Sequence, residues 1–246
     1  MGCKHCMNDA KPEGRDMSFQ VFKDSLDFLR DNKLAQMHLV ISGGEPLECA
    51  SFDTFMNYLL DYSKDNHCFA YVTITTNGEL ILGDSKRFQD YISRAEDCGI
   101  CLTFQVSADV RYYPRRIPVH KRLFREKGFI LCDDCVQQIY PQGRARTNNI
   151  PWQSKASKCF NVRALSKQIP NCSLVDIDRT LTSRVKFCTP HIGVDGSIKL
   201  GESDLCPACA SIYDNPIDII KKIQRFKCSG CDIINDKLPE IYQQFL

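Results

Sequence analysis

No stretch of this 246-residue sequence approaches roughly 20 uninterrupted apolar residues, so a membrane-spanning helix is not expected. Neither sign of charge dominates: Lys plus Arg is 32 and Asp plus Glu is 30. That balance gives no reason to expect a nucleic acid or a membrane surface as partner. The N-terminal stretch MGCKHCMNDAKPEGRD is polar and has no secretory h-region, so a cytoplasmic location is expected. Gly2 is not followed by the Ser or Thr at position 6 that myristoylation needs, because that position is Cys6. Internal repeats and low-complexity segments are lacking, and the five histidines show no metal spacing beyond His5 in a cysteine loop. A chain of this length buries about 70–75% of its unfolded surface, so its core needs no covalent staples.

What the sequence has in quantity is cysteine, 15 in all. A disulfide-rich secreted protein would usually be small and carry a signal. A reduced chain keeps so many thiols mainly as metal ligands. Four C-x-x-C pairs are present: Cys3/Cys6, Cys132/Cys135, Cys206/Cys209 and Cys228/Cys231. Cys98/Cys101 has the same spacing but straddles a helix end and a strand start. Cys49, Cys68, Cys98, Cys101 and Cys172 have no strong ligand context and read more readily as small hydrophobes.

Strand and helix alternate from residue 18 to 107. A helix from Ser18 carries Phe19, Phe22, Leu26 and Leu29 at spacings of three and four. The strand Leu39–Ile41 follows and breaks into Ser42-Gly43-Gly44-Glu45-Pro46. Adjacent glycines leave main-chain groups open to a ligand. Glu45 adds an acceptor, and Pro46 ends the pairing. Ser51 is expected to cap a helix bearing Phe52, Phe55, Leu59 and Tyr62. The strand Ala70–Thr75 ends in Thr76-Asn77-Gly78. A helix from Asp84 or Ser85 turns Phe88, Ile92, Ala95 and Cys98 inward and stops at Gly99. Ile100–Ser107, Phe129–Leu131 and Val136–Tyr140 complete the predicted strands. The alternation argues for right-handed βαβ units and a parallel sheet. Pattern alone does not separate an open sheet from a barrel. Beyond about residue 148 the rhythm stops. Asp195-Gly196 reads as a hairpin turn between Ile192/Val194 and Ile198/Leu200. Asn215 caps and Pro216 starts a helix with Ile219, Ile220, Ile223 and Phe226 inward, and Leu238–Phe245 reads as a last helix.

The ordered set Cys3-x-x-Cys6, Gly43-Gly44-Glu45-Pro46 and Thr76-Asn77-Gly78 resembles the radical S-adenosylmethionine (radical SAM) family. That family carries C-x-x-x-C-x-x-C after its first strand, GGEP after its second and often T-N-G after its third. The first cysteine of the triplet would fall before Met1, as would the first strand. The resemblance therefore implies an N-terminally truncated core, or a cluster whose third ligand comes from elsewhere. It implies a [4Fe–4S] cluster held by Cys3 and Cys6, with SAM bound at its open iron. Reductive cleavage of SAM then yields a 5′-deoxyadenosyl radical that abstracts a substrate hydrogen. Cluster potentials span about −700 to +450 mV, and this chemistry needs the low end. A flavodoxin- or ferredoxin-like electron donor is thus implied. Main-chain groups of Gly43 and Gly44, with Glu45 and Pro46 in the same loop, would meet the SAM amino group. Ser107 would bond the ribose or carboxylate. Asn77 is a weaker cofactor-binding candidate that reads equally well as a turn residue.

Cys188-x12-Gly201-x4-Cys206, followed by Cys228-x-x-Cys231, resembles the C-terminal extension of many radical SAM enzymes. That extension occurs in a full (SPASM) and a shorter (twitch) form. The resemblance implies one auxiliary [4Fe–4S] cluster on Cys188, Cys206, Cys228 and Cys231. Cys209 competes with Cys206, and Cys159 or Cys172 could contribute. Spacing alone fits tetrahedral zinc at least as well. Arg144, in Pro141-Gln142-Gly143-Arg144-Ala145, resembles an arginine near the SAM and substrate end, or is a solvated basic turn. Cys132-Asp-Asp-Cys135 has no place in the family pattern; its acids argue against a reactive pair. Tyr112, Tyr113, Arg115 and Arg116 would line a substrate opening or simply cover a rim.

The resulting expectation is an α/β chain: a partial (β/α)6, TIM-like radical SAM barrel lacking its first strand over residues 1–147, then a small cysteine-rich α+β domain over 148–246. The expected activity is that of an oxidoreductase starting radical modification of a peptide or protein. The alternative is a degenerate, non-catalytic iron–sulfur or zinc-binding protein acting through a partner.

Overall fold

The computed structural model describes residues 3–4, 6, 10–11, 13–35, 38–107, 126–132, 138–139, 143–150, 153–154, 173–176, 191–200 and 207–225. The chain divides into two compact units. The first comprises residues 1–4, 10–19 and 35–137, and the second residues 5–9, 20–34 and 138–246.

The first unit is built on a parallel sheet of four strands in sequential order: β1 (His38–Ile41), β2 (Tyr71–Thr76), β3 (Cys101–Ser107) and β4 (Phe129–Cys132). Helix α2 (Phe52–Asn66) connects β1 to β2. A short α3 (Glu79–Gly83) and α4 (Ser85–Asp97) connect β2 to β3. Successive strand side chains alternate between faces. In β2 and β3 the alternation buries Val72, Ile74, Thr76, Leu102, Phe104 and Val106. Phe52, Met56, Leu59 and Leu60 of α2 and Phe88, Ile92 and Ala95 of α4 are buried as well, with Phe52 against Phe88 and Tyr91 of α4. Aromatic edges and faces lock the layers: Phe88 meets Phe104 edge-on at 5.3 Å, and Phe104 stacks on Phe129 at 5.8 Å.

Helix α4 begins and ends as expected. The Asp84 side chain accepts from the Arg87 N–H at 3.2 Å, and Gly99 follows with φ +75°. Ser51 occupies the N-cap position of α2, but its side chain makes no capping hydrogen bond. Cys98, expected inward, is the C-cap residue of α4 and only half-buried, because it lies past the last full turn. Gln138–Ile139 (β5) is not a strand of the parallel sheet; it pairs antiparallel with Gln153–Ser154 (β6).

In the second unit β7 (His191–Ile192), β8 (Ser197–Lys199) and β9 (Ala210–Ser211) form an antiparallel sheet. Gly196 turns the β7–β8 hairpin with φ +80°. The last described helix, α6 (Pro216–Arg225), is capped by the Asn215 side chain, which accepts from the Ile217 N–H at 3.0 Å. Leu174, Ile198, Leu200, Ile212, Ile219 and Ile223 make its core, against which Phe28 and Leu34 of the 20–34 segment pack. That segment includes most of α1 (Phe19–Asp31). Phe226, the 228–231 cysteine pair and the expected helix Leu238–Phe245 lie outside the described residues. No helix among the described residues is long and apolar enough to cross a membrane.

Candidate cofactor-binding site

The site forms where β1 and β2 end side by side. After Ile41 the chain leaves the sheet through Ser42, Gly43 and Gly44, and Pro46 opens a single 3-10 turn, Pro46–Glu48. Gly43 and Gly44 are both exposed. Gly43 has φ +153°, which other residues adopt only under strain, and a side-chain carbon there would meet nothing within 4 Å. At Gly44 such a carbon would lie 3.2 Å from Ala10 Cβ, so the chain runs tight on one side and open on the other.

Glu45 turns inward and ties this loop to the next strand end. Its Oε1 accepts from Thr76 Oγ1 at 2.6 Å and from the Leu47 N–H at 3.2 Å. Its Oε2 accepts from the Asn77 N–H at 2.7 Å. The turn is closed in the same way. Thr76 Oγ1 accepts from the Gly78 N–H at 3.0 Å, and Asn77 Oδ1 accepts from the Glu79 N–H at 2.8 Å. Gly78 supplies the left-handed φ of +79° that starts α3. Burial raises the Glu45 carboxyl above its ordinary range despite the bonds from Thr76, Asn77 and Leu47, and Glu48 nearby adds to the rise.

Asn77 is buried, with its side-chain oxygen spent on the helix start. Ser107 ends β3 half-buried and pairs in register with Cys132. It shares a face with Thr103 and Gln105, and with Thr73 and Thr75 of β2. The register adds Val40 and His38 of β1 to that face, His38 Nε2 lying 2.8 Å from Thr73 Oγ1, and Ile130 and Cys132 of β4. Gln105 Nε2 donates to Cys132 Sγ at 3.1 Å. Thr76, which joins the two loops, stands in the T-N-G motif, but the sequence alone assigns it no role of its own. Its signal is a threonine two residues before a glycine, the spacing of a side-chain-closed turn.

Cys3 and Cys6 are both half-buried; Cys3 belongs to the first unit and Cys6 to the second. Within the second unit, Arg144 on α5 (Gly143–Thr147) donates its main-chain N–H to the Cys6 carbonyl at 2.9 Å, and its Nε is shut off from solvent. Cys188, Cys206, Cys228 and Cys231 lie outside the described residues, as do Cys135, Cys159 and Cys172. Among the described residues, no three His, Cys, Asp or Glu side chains gather as a metal-binding group. Cys209 packs against the apolar core of the second unit and donates its thiol to the Ile198 carbonyl at 3.2 Å. Burial pushes that thiol up to about 11.

No protein-family model and no curated protein matches this sequence. The solved structures do contain its fold. The crystal structure of BtrN in complex with AdoMet and 2-DOIA is similar with a TM-score of 0.51 and 16% identity, over 94% of this chain and 82% of that one. Selenomethionine BtrN in an open conformation gives a TM-score of 0.43 and 15% identity, over 87% and 75%. The chain shares the fold of the first of these structures, a mixed α/β architecture around a parallel four-stranded sheet.

Proposed function

We propose that this chain is a radical SAM enzyme that cleaves S-adenosylmethionine at a [4Fe–4S] cluster to begin radical modification of a substrate. One observation carries the reading. In a radical SAM-like fold, the GGEP loop and the TTNG turn stand at adjacent parallel strand ends and are joined through Glu45.

The residues present fit the cofactor. Gly43 leaves its main chain exposed with open space beside it, as a bound amino group requires. Gly43 and Gly44 would hold that amino group, and Ser107 would bond the ribose or carboxylate. Cys3 and Cys6 would hold an edge of the cluster, with Arg144 held beside Cys6 through their main-chain bond. When bound, the cluster supplies the electron that breaks the cofactor's C–S bond. The face carrying Thr75, Gln105 and Ser107 would orient a hydrogen-bonding part of the substrate. A twitch-like second domain, with an auxiliary cluster on Cys188, Cys206, Cys228 and Cys231, a flavodoxin- or ferredoxin-like donor and a peptide or protein substrate are proposed on the sequence resemblance, and a cytoplasmic location on the content of reduced cysteine.

Anaerobic reconstitution with iron and sulfide tests the proposal. The expected result is about eight irons per chain, for two four-iron clusters, and release of 5′-deoxyadenosine on reduction with SAM. Zinc without labile sulfide, together with no cleavage, would instead identify a metal-binding protein that acts through a partner.

A further inference from the structure

We infer that Glu45 and Thr76 act as positioning residues, a two-residue clamp that sets the main chain of the cofactor loop, and that Glu45 is not itself a ligand of the cofactor's amino group. The inference rests on the reading of this loop as a SAM seat.

The Glu45 carboxylate accepts from three protein donors: Thr76 Oγ1, Leu47 N–H and Asn77 N–H. A carboxylate offers about four acceptor sites, so most of its capacity is used inside the fold. The donors have a pattern. Leu47 lies just past the GGEP loop, whereas Thr76 and Asn77 belong to the next strand end. The side chain therefore fixes the exit of one loop and the start of the next turn together.

Thr76 is the relay. Its hydroxyl is buried, donates its proton to Glu45, and takes the Gly78 N–H on a lone pair. Only a hydroxyl at this position can do both. The exposed Gly43, with its unusual φ, stays in place only if its neighbours hold it. The hydrogen bonds of the clamp reach from this loop to the next strand end.

Thr76→Val keeps the shape of the side chain and removes both bonds, leaving a buried N–H and a carboxylate lone pair without partners. Thr76→Ser keeps both bonds. In the reconstituted protein, Thr76→Val is expected to weaken SAM binding by about tenfold or more, measured by equilibrium dialysis. Amide hydrogen exchange over residues 76–79, measured without SAM, should accelerate in the same variant. Thr76→Ser should restore both within about threefold. Glu45→Gln breaks the clamp from the other side, by setting an NH2 group against a donor. Adding it to Thr76→Val should cost less than the product of the two single effects. Fully multiplicative losses would make Glu45 a direct ligand and overturn the inference. Faster exchange in Thr76→Val with unchanged SAM affinity would overturn it too. If the unaltered protein binds no SAM, the proposed function fails first and this inference falls with it.

Discussion

The main-chain N–H of Arg144 donates to the carbonyl of Cys6 at 2.9 Å, so the start of α5 is joined to Cys6 by backbone. Arg144→Ala keeps that bond and removes only the guanidinium. If the guanidinium faces the anionic groups of the cofactor, the expected loss is about 1.5–3 kcal/mol of SAM binding, as for other charge-assisted hydrogen bonds. Arg144→Lys restores the charge without the planar fork and should recover part of the loss. Calorimetric titration of the reconstituted protein with SAM measures both. Unchanged affinity in Arg144→Ala would show that the guanidinium takes no part in holding the cofactor.

Gly128 precedes β4 with φ +83°, and a side-chain carbon there would clash with the Ile92 side chain, Cδ1 first. Gly128→Ala should destabilise the chain by more than about 1 kcal/mol, from strain at positive φ together with overpacking. Adding Ile92→Val removes that Cδ1 atom and should relieve part of the cost. Urea unfolding of the two single variants and the pair gives the coupling directly. Additive costs would show that the clash is not what sets the penalty.

Tyr91 of α4 donates its hydroxyl to Asp53 of α2 at 2.7 Å, and Arg87 bonds the same carboxylate. Burial, then the bond to Asp53, pushes the Tyr91 hydroxyl up to about 12. The unfolded chain loses that proton near pH 10. Between about pH 10 and 12 the folded state therefore holds more protons, and stability falls as pH rises through this window. Below it the full contribution is present. Tyr91→Phe should cost about 1 kcal/mol at neutral pH and flatten the alkaline slope. Denaturant midpoints taken across the alkaline range decide this, and an unchanged slope would exclude Tyr91 as its source.

Cys209 and Cys206 should separate cleanly in metal content. With its thiol donated to the Ile198 carbonyl, Cys209 behaves as a core residue. Cys209→Ala should lower stability modestly, by about 1 kcal/mol, and leave iron and sulfide content unchanged. Cys206→Ala should lose the auxiliary iron. Iron loss in Cys209→Ala would reverse the assignment.

The elements legible in the sequence are those whose signals are local. Asp84 and Gly99 bound α4, Gly196 turns the β7–β8 hairpin, and Asn215 with Pro216 starts α6. Each is decided within about four residues of itself. The misses have a matching cause. Ser51 has the right type for a cap, but hydroxyl placement depends on backbone angles that sequence does not carry. Helix α3 is too short to show a period. The composition of β5 suits a strand, yet its partner is β6 and not β4, a choice made by tertiary contact. At the candidate site the motif residues were visible as GGEP and TTNG. The bonds from Glu45 to Thr76 and Asn77 were not, because they cross more than 30 positions of sequence.

That separation has a kinetic meaning. Glu45 and Thr76 meet at the adjacent ends of β1 and β2, and α2 lies between them in the chain. Closing a connection of that length carries an entropic cost before any contact rewards it. The strand-end loop is therefore absent from any early helical or hairpin intermediate. In refolding, protection of the Gly78 amide should arrive with the parallel sheet and not with the helices, which makes it a timekeeper for sheet closure.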